Sequence, residues 1–289
     1  MELWILINPM LRTFLYFSCF TSVGAILFLY HFKDLQSADG LCYLKTLTIK
    51  SSMVGIVISL GSFFSIAGSL GGDFLSALDI SMLRLTLETK LGLATVIGLA
   101  GFCLIATASK FSDKFEGIVE FLGSLTLLSS FLFVGHSTGK GPIVSLMLII
   151  HIIGVAFWLG SLLPFKWLCS FSNADKLYSI AEKFGFLALR YIGLLLIAGI
   201  SYACFLFTDL QQLFNTTYGN IFVAKLFSVC LILSLGALNK FRIVPMLISN
   251  PEQGRIRLGN SIRLEILIAS GILILSSFLT TSFALPSFS

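Results

Sequence analysis

The sequence predicts an all-α, polytopic integral membrane protein with about eight transmembrane helices. Apolar runs account for most of the 289 residues, mean hydropathy is +0.97, and only 11% of residues are charged. A helix needs roughly 20 apolar residues to cross a hydrocarbon core of about 30 Å, and about eight runs reach that length. The charged residues lie in short connecting segments, which is typical of a membrane bundle rather than of a water-soluble core.

These runs predict the positions of the eight spans. They cover residues 9–31, 47–70, 87–109, 115–134, 142–165, 184–207, 220–241 and 262–284. Pro142 suits the first turn of the fifth span, because its missing N–H would have no helical partner there. The first twelve residues lack the basic segment and the small-residue cleavage site of a secretory signal, so we expect the first helix to be retained.

The basic residues predict the orientation of the bundle. Most of them lie in the odd-numbered connections: Lys33, Lys45, Lys110, Lys114, Lys166, Lys176, Lys183, Lys240, Arg242, Arg255, Arg257 and Arg263. The second and fourth connections hold only Arg84 and Lys140, and the sixth holds none. Since cytoplasmic loops carry an excess of Lys and Arg, the odd-numbered connections are predicted to be cytoplasmic and both termini outside.

The same composition bounds the function. No hydrophilic stretch is long enough to fold separately, so residues 1–289 are predicted to form a single transmembrane domain. The net charge of +5 comes from residues that flank the spans and does not indicate nucleic-acid binding. No phosphate-binding loop, HExxH motif or nucleophile elbow is present, so the sequence supports neither ATP-driven transport nor enzymatic activity.

Two of the three histidines are the first candidates for chemistry. His136 lies in the fourth connection, and His151 lies about 13 Å along the fifth helix from Pro142. Neutral imidazole is a common ligand for copper, zinc and iron. The two histidines are either ligands of one site or successive positions on an inward path. The structural alternatives are an interfacial hydrogen bond for His136 and a tether between helices for His151.

Helical spacing places further candidates beside His151. Met147 lies four residues before it and Trp158 seven after it, so all three share one face of the helix. Gly154, near the same face, would permit close approach of another helix. A thioether beside an imidazole favours a soft ion such as Cu(I), and simple packing is the alternative for Met147.

A few charged residues fall inside spans or beside them. Lys225 in the seventh span and Arg190 in the sixth are costly in lipid, and snorkelling to the interface is favoured for each over a partnered role in the bundle. Asp73 and Asp79, in the second connection, are either a cation-attracting entrance or ordinary residues of a solvated loop.

Several segments of the sequence are similar to motifs of one known family. The segments are Gly135-His136, the stretch 151–162 (HIIGVAFWLGSL), 217–226 (TYGNIFVAKL), 236–245 (GALNKFRIVP) and 261–265 (SIRLE). They follow, in order, the patterns GHA, H-x₆-W-[LV]-G-G-L, T-x-Y-G-x₅-K-L, G-A-x-N-R-x₄-P and S-[VI]-R-x-E of the copper resistance protein D (CopD, PcoD) family. Ser137 and Ser161 depart from these patterns without removing a ligand. The resemblance is strongest over residues 131–284 and looser at residues 77–79 and 89–92.

The resemblance implies a multi-pass protein of the bacterial inner membrane that handles copper, as Cu(I) or Cu(II). It also implies a small periplasmic copper carrier of the CopC type as a possible separate partner. His136, His151 and Met147 would then be the metal ligands, with Trp158, Lys225 and Glu265 in support, since Lys225 and Glu265 recur in the family motifs.

The sequence is compatible with three functions. The first is copper transport or homeostasis, with copper taken from the periplasmic side through His136 and His151. The second is a membrane redox protein in which the same two histidines are axial ligands of a b-type haem. The third is a structural membrane subunit in which both histidines only satisfy hydrogen bonds.

Overall fold

A computed structural model describes residues 2–134, 141–206 and 212–281, and within them it is helical without a strand. The α-helices are α1 Glu2–Phe32, α2 Ala38–Gly71, α3 Ile80–Glu88, α4 Lys90–Thr107, α5 Asp113–Ser129, α6 Pro142–Gly160, α7 Leu162–Phe171, α8 Ala174–Leu206, α9 Gln212–Asn215, α10 Thr217–Leu238, α11 Val244–Ser249 and α12 Pro251–Thr281. Short 3₁₀ turns join several of them, and a π-helical turn, Asn239–Ile243, links α10 to α11.

Eight helical segments of the described chain are long and apolar enough to cross a membrane, which confirms the predicted fold class. They are Leu3–Leu35, Ala38–Gly71, Lys90–Lys110, Lys114–Phe133, Pro142–Phe171, Ala174–Phe205, Thr217–Ser249 and Pro251–Thr281. Most are longer than the sequence predicts. The helices continue past the apolar runs into charged segments, so that Lys45, for example, lies inside α2.

Polar caps explain where several helices begin. The side chains of Ser37, Thr89 and Thr216 each accept a hydrogen bond from the backbone N–H three residues later, at the start of α2, α4 and α10. Such caps satisfy backbone groups that have no partner within the helix. Two of the caps open segments that resemble family motifs, so part of those motifs has a local structural reason.

The first helix is central to the bundle and packs against α2, α6 and α12. Its closest approach is to α6, where a Cβ atom on either Gly24 or Gly160 would clash with the backbone of the other helix. Small residues at such crossings let helix backbones come together. The helices α2, α4 and α5 pack in sequence beside α1, while α8 lies on α6 and α10 lies on α12.

The two ends of the described chain lie on the same side of the bundle. Thr13 and Ser277 share a hydrogen bond of 2.7 Å between their hydroxyl oxygens, and Tyr16 and Thr280 share one of 3.0 Å. We call this the N-terminal side. An even number of spans requires this arrangement, and the charge distribution predicts that this side faces outward.

The two halves of the bundle are packed differently. A large apolar core fills the side opposite to the N-terminal side, and its fully buried aromatic residues include Phe28, Phe32 and Phe157. The N-terminal side holds smaller clusters and a cavity of about 590 Å³. Among the described residues, the large core and the cavity thus lie on opposite sides of the bundle.

Candidate functional site

A cavity of about 590 Å³ lies among six of the spans on the N-terminal side. Its walls are mostly apolar. The exceptions are Arg12, Tyr16, His151, Trp158, Tyr202, Cys204, Tyr218, Lys225, Ser276 and Thr280. A largely apolar cavity of this size with a few polar groups is typical of a binding site for a small molecule or ion. It is the candidate site of this protein.

His151 is held in the cavity wall by α8. Its Nδ1 atom lies 3.1 Å from the carbonyl oxygen of Leu195. A carbonyl oxygen can only accept a hydrogen bond, so Nδ1 carries the hydrogen and donates it. The neutral imidazole then has its free lone pair on Nε2, the state in which a histidine binds a metal ion.

Two glycines make room for this contact. A Cβ atom on Gly199 would lie 2.9 Å from Nδ1 of His151, and a Cβ atom on Gly154 would lie 2.7 Å from the Cβ atom of Leu195. Both distances are too short for ordinary packing. The close approach of α6 and α8 that Gly154 suggests in the sequence is present, and it brings the Leu195 carbonyl to the imidazole.

The fixed charges of the cavity wall are positive. Lys225 interacts electrostatically with His151, and Arg12 lines the wall from α1, where its Nε donates to the Tyr16 hydroxyl at 3.3 Å. No Asp or Glu lines the described part of the wall. Lys225 therefore faces the cavity, whereas Arg190 is exposed on α8 with its guanidinium 4.5 Å from the Phe186 ring centre.

The other predicted site residues lie in different places. Trp158 lines the cavity and is buried, as its shared face with His151 suggests. Met147 is half-buried on α6 but does not line the cavity. Glu265 is buried outside the cavity, where its Oε1 accepts a hydrogen bond from Nδ2 of Asn239. His136 lies outside the described residues.

The described residues contain no group of three or more His, Cys, Asp and Glu side chains that could hold a metal ion. Within this part of the chain His151 is thus the single strong metal ligand of its cavity wall, with the exposed Cys204 as another potential donor. A tightly held structural metal needs four such ligands as a rule. The described part of the wall offers fewer such donors.

The third histidine lies beyond the cavity floor. Nε2 of His31 is 3.0 Å from the hydroxyl of Tyr191, one helical turn of α8 from Leu195. The ring of Phe157 stacks on Tyr191 with centroids 4.0 Å apart, and it is fully buried. This aromatic layer separates His31 from the cavity.

The two acidic residues of the second connection hold local turns, and Asp79 is the N-cap of α3. The Asp73 carboxylate accepts from the backbone N–H of Ser76 at 2.7 Å, and that of Asp79 accepts from the N–H of Ser81 at 2.7 Å. Hydrogen bonds from the side chains of Ser76 and Ser81, followed by these backbone contacts, lower the pKa of the two carboxyl groups. Their geometry gives them a local structural role at helix starts.

Arg12 is a charged cavity residue that the sequence analysis does not single out. It belongs to α1, and it reaches the site because Tyr16, one turn later, bonds to Thr280 at the far end of the chain. The only local signal is a single arginine within an otherwise apolar run.

The fold and this cavity define a multi-pass helical membrane protein with a largely apolar cavity on its N-terminal side. Residues 1–145 match the family described as copper resistance protein D-like, N-terminal domain, and residues 178–279 match copper resistance protein D. The chain belongs to the copper resistance protein D family.

The curated proteins include one relative that is named for copper transport. The copper transport protein CutJ of Bacillus subtilis (strain 168) is 24% identical over 294 residues, which cover 96% of this chain and 52% of the relative. The chain thus spans about half the length of that relative. No solved structure matches the chain. The family descriptions and the relative's name mention copper, and none of them mentions haem or a carrier protein.

Proposed function

We propose that this protein carries copper ions across the bacterial inner membrane, starting from the cavity on the N-terminal side. The single observation that carries the proposal is the orientation of His151. The Leu195 carbonyl fixes Nδ1–H, and the lone pair of Nε2 is left for a ligand in a cavity wall. Family membership and the name of the CutJ relative support copper as the ion.

The proposed route enters from the periplasm. Copper would meet His136 near the surface and pass to His151 within the membrane, with Met147, one turn before His151, as a further soft donor for Cu(I). A separate periplasmic carrier of the CopC type would deliver it. Because Met147 does not line the cavity, the proposal rests on His151 more than on Met147.

The closed core beyond the cavity gives the proposal a mechanistic requirement. Phe157 and its neighbours fill the space between His151 and the opposite side, so a bound ion cannot continue without a rearrangement there. In this scheme the cavity belongs to the state that receives copper from the N-terminal side. Release on the other side would require a second state.

Lys225 has a predictable effect in this scheme. Its positive charge near His151 opposes a copper cation, so it is not a ligand. Lys225→Met should leave copper binding intact or make it tighter. If Lys225 instead maintains the bundle, the variant should lower the yield of folded protein or the rate of transport.

The test uses purified protein in lipid nanodiscs and in proteoliposomes. His151→Ala should abolish high-affinity copper binding and lower copper uptake at least about tenfold. Loss of a residue that only supports a metal ligand already costs about 10- to 100-fold, so loss of the ligand itself should cost no less. The matched control is His31→Ala, which removes a histidine beyond the cavity floor and should retain copper binding. Parental binding and uptake in His151→Ala would refute the assignment. Equal loss in both variants would show general damage to the fold.

A further inference from the structure

The cavity has a side opening between the sixth and seventh spans. On the N-terminal side α8 packs against α6 and α10 against α12, and α8 and α10 make little or no backbone contact with each other. On the opposite side the same spans are tied together, because Nζ of Lys240 donates to the carbonyl oxygen of Gly185 at 3.2 Å. The backbones of the two spans therefore lie apart on the N-terminal side, where the side chains of Tyr202, Tyr218 and Phe222 pack in one cluster.

Residues at this opening line the cavity and are also exposed on the outer surface of the bundle. Ile200 on α8 and Leu226 on α10 both line the cavity, yet they are 64% and 46% exposed. Cys204, one turn beyond Ile200, is also exposed and also lines it. In a bilayer such apolar exposed faces contact acyl chains, so the opening connects the cavity with lipid.

The positive charges of the cavity wall favour binding of an anion. Arg12 and Lys225 line it, and no carboxylate lines its described part. The ion pair found among the described residues joins Lys45 and Glu116, far from the cavity. Arg12 and Lys225 therefore have no carboxylate partner among the described residues. An uncompensated positive charge in low dielectric is costly, and an anionic group at this place would remove the cost.

The depth of the two cations matches the level of lipid headgroups. The seventh span, Thr217–Ser249, has 33 residues and is about 50 Å long, which exceeds a hydrocarbon core of about 30 Å by roughly 10 Å at each end. Lys225 lies about 12 Å from its first residue, and Arg12 lies about 13 Å from the start of the equally long first span. If the helices are centred in the bilayer, both cations are at the boundary between headgroups and acyl chains.

We propose that the cavity binds an anionic phospholipid of the leaflet on the N-terminal side. One acyl chain passes between α8 and α10 into the apolar cavity, past Ile200 and Leu226. The phosphate is held by Lys225 and Arg12. The proposal depends on the opening and on the charges, and it is independent of the copper function.

Trp158 provides a direct probe of this site, because it lines the cavity. The other two tryptophans are remote from the cavity lining: Trp4 packs near Phe74, and Trp167 stacks on Tyr43. A Trp4→Phe, Trp167→Phe background leaves Trp158 as the single reporter. Lipids with brominated acyl chains quench tryptophan fluorescence only on contact.

The measurement compares two brominated lipids at equal fractions in phosphatidylcholine nanodiscs. Brominated phosphatidylglycerol should quench Trp158 more strongly than brominated phosphatidylcholine. Lys225→Met should reduce this preference at least twofold, and a further Arg12→Gln change should remove it. Arg190→Gln, which removes an exposed cation of α8 outside the cavity, should retain it.

Two further variants separate the possible outcomes. Leu226→Phe narrows the opening without a change of charge and should lower quenching by both lipids. His151→Ala should leave the lipid preference unchanged, so failure of the copper proposal and failure of this one are distinguishable. Equal quenching by the two lipids would overturn recognition of the anion, and absence of quenching by either would overturn entry of the acyl chain.

Discussion

The imidazole of His151 donates through Nδ1 to the carbonyl oxygen of Leu195, 3.1 Å away on the neighbouring helix α8. Leu195 is buried, and its carbonyl lies one turn before Gly199, the residue against which the imidazole packs. The Leu195 carbonyl and Gly199 thus set the direction of one ring. The metal-binding capacity of His151 should therefore depend on residues that never touch the ion.

The first prediction concerns Gly199, which contacts the imidazole. Gly199→Ala places a methyl group 2.9 Å from Nδ1 and should displace the ring from the Leu195 carbonyl. Changes of this kind in residues that orient a ligand cost about 10- to 100-fold in metal affinity, so we expect a loss in this range. Copper affinity of the purified variant, measured by competition with a chelator, checks this.

The control for Gly199 lies on the same helix. A Cβ atom on Gly193 would meet no heavy atom within 4 Å, so Gly193→Ala should bind copper like the parent. Parental affinity in the Gly199 variant would mean that the hydrogen bond to Leu195 does not orient the ligand.

The second prediction concerns the buried pair of Asn239 and Glu265. Glu265 is 3% exposed, and Nδ2 of Asn239 donates to its Oε1. Asn239→Ala should destabilise the protein by about 1–3 kcal/mol, because it leaves a buried acceptor without its donor. Thermal unfolding in detergent measures this, while copper binding should be unchanged since the pair lies outside the cavity.

A double-mutant cycle provides the control for this pair. If the hydrogen bond is the cause, Asn239→Ala should cost much less in a Glu265→Ala background than in the parent. Additive losses would show that each side chain acts separately, and loss of copper binding in either variant would contradict a purely structural role.

The third prediction concerns the pH dependence of the cap on α3. Hydrogen bonds from Ser81 and Met82 lower the pKa of Asp79 in the folded protein. The cap therefore stabilises α3 at pH values above the ordinary pKa of about 3.9, and it is lost as pH falls through the lower folded value. Hydrogen exchange of the α3 amides, corrected for the intrinsic effect of pH, should show this loss in acid.

Two comparisons test whether Asp79 is responsible. Asp79→Asn retains a capping oxygen that does not titrate. In this variant the α3 amides should be equally protected above and below the pKa of the Asp79 carboxyl. The cap of α4 is Thr89, which does not titrate either, and protection of Gly92 should not change. Acid sensitivity of α3 that persists in the Asn variant would assign the effect to another group.

The fourth prediction concerns the direction of insertion. The described ends of the chain lie on one side, and the distribution of Lys and Arg predicts that this side faces the periplasm. Reporter fusions after Lys114 and after Gln212 should therefore report cytoplasmic and periplasmic locations respectively. The same location for both would contradict the number of spans between them, and the reversed pair would invert the proposed direction of copper entry.

The fold was predictable because each span is long and apolar in its own right. The ends of the helices were less predictable: charged residues end an apolar run, but they do not end a helix. The second span shows this, since its helix begins at Ala38, nine residues before the predicted start, and includes Lys45. Helical hydrogen bonds continue into water wherever caps allow.

Helical spacing could predict neighbours of His151 only within α6, and of those Trp158 lines the cavity while Met147 does not. His151 and Trp158 lie on one face of α6 by their spacing alone, and both line the cavity. Arg12 reaches the cavity through contacts between the first and last spans, which no local pattern contains. The same holds for the Leu195 carbonyl, because a backbone acceptor has no signature in the side chains.

The π-helical turn Asn239–Ile243 should limit insertions and deletions in this segment among members of the family. It holds one residue more than an α-helical turn, and each residue rotates a helix by about 100°. If one of these five positions were deleted, α10 would turn by that angle relative to α11. Either Lys225 would leave the cavity, or Val244 and Leu247 would leave the core. Insertions and deletions should therefore be rarer in this segment than substitutions.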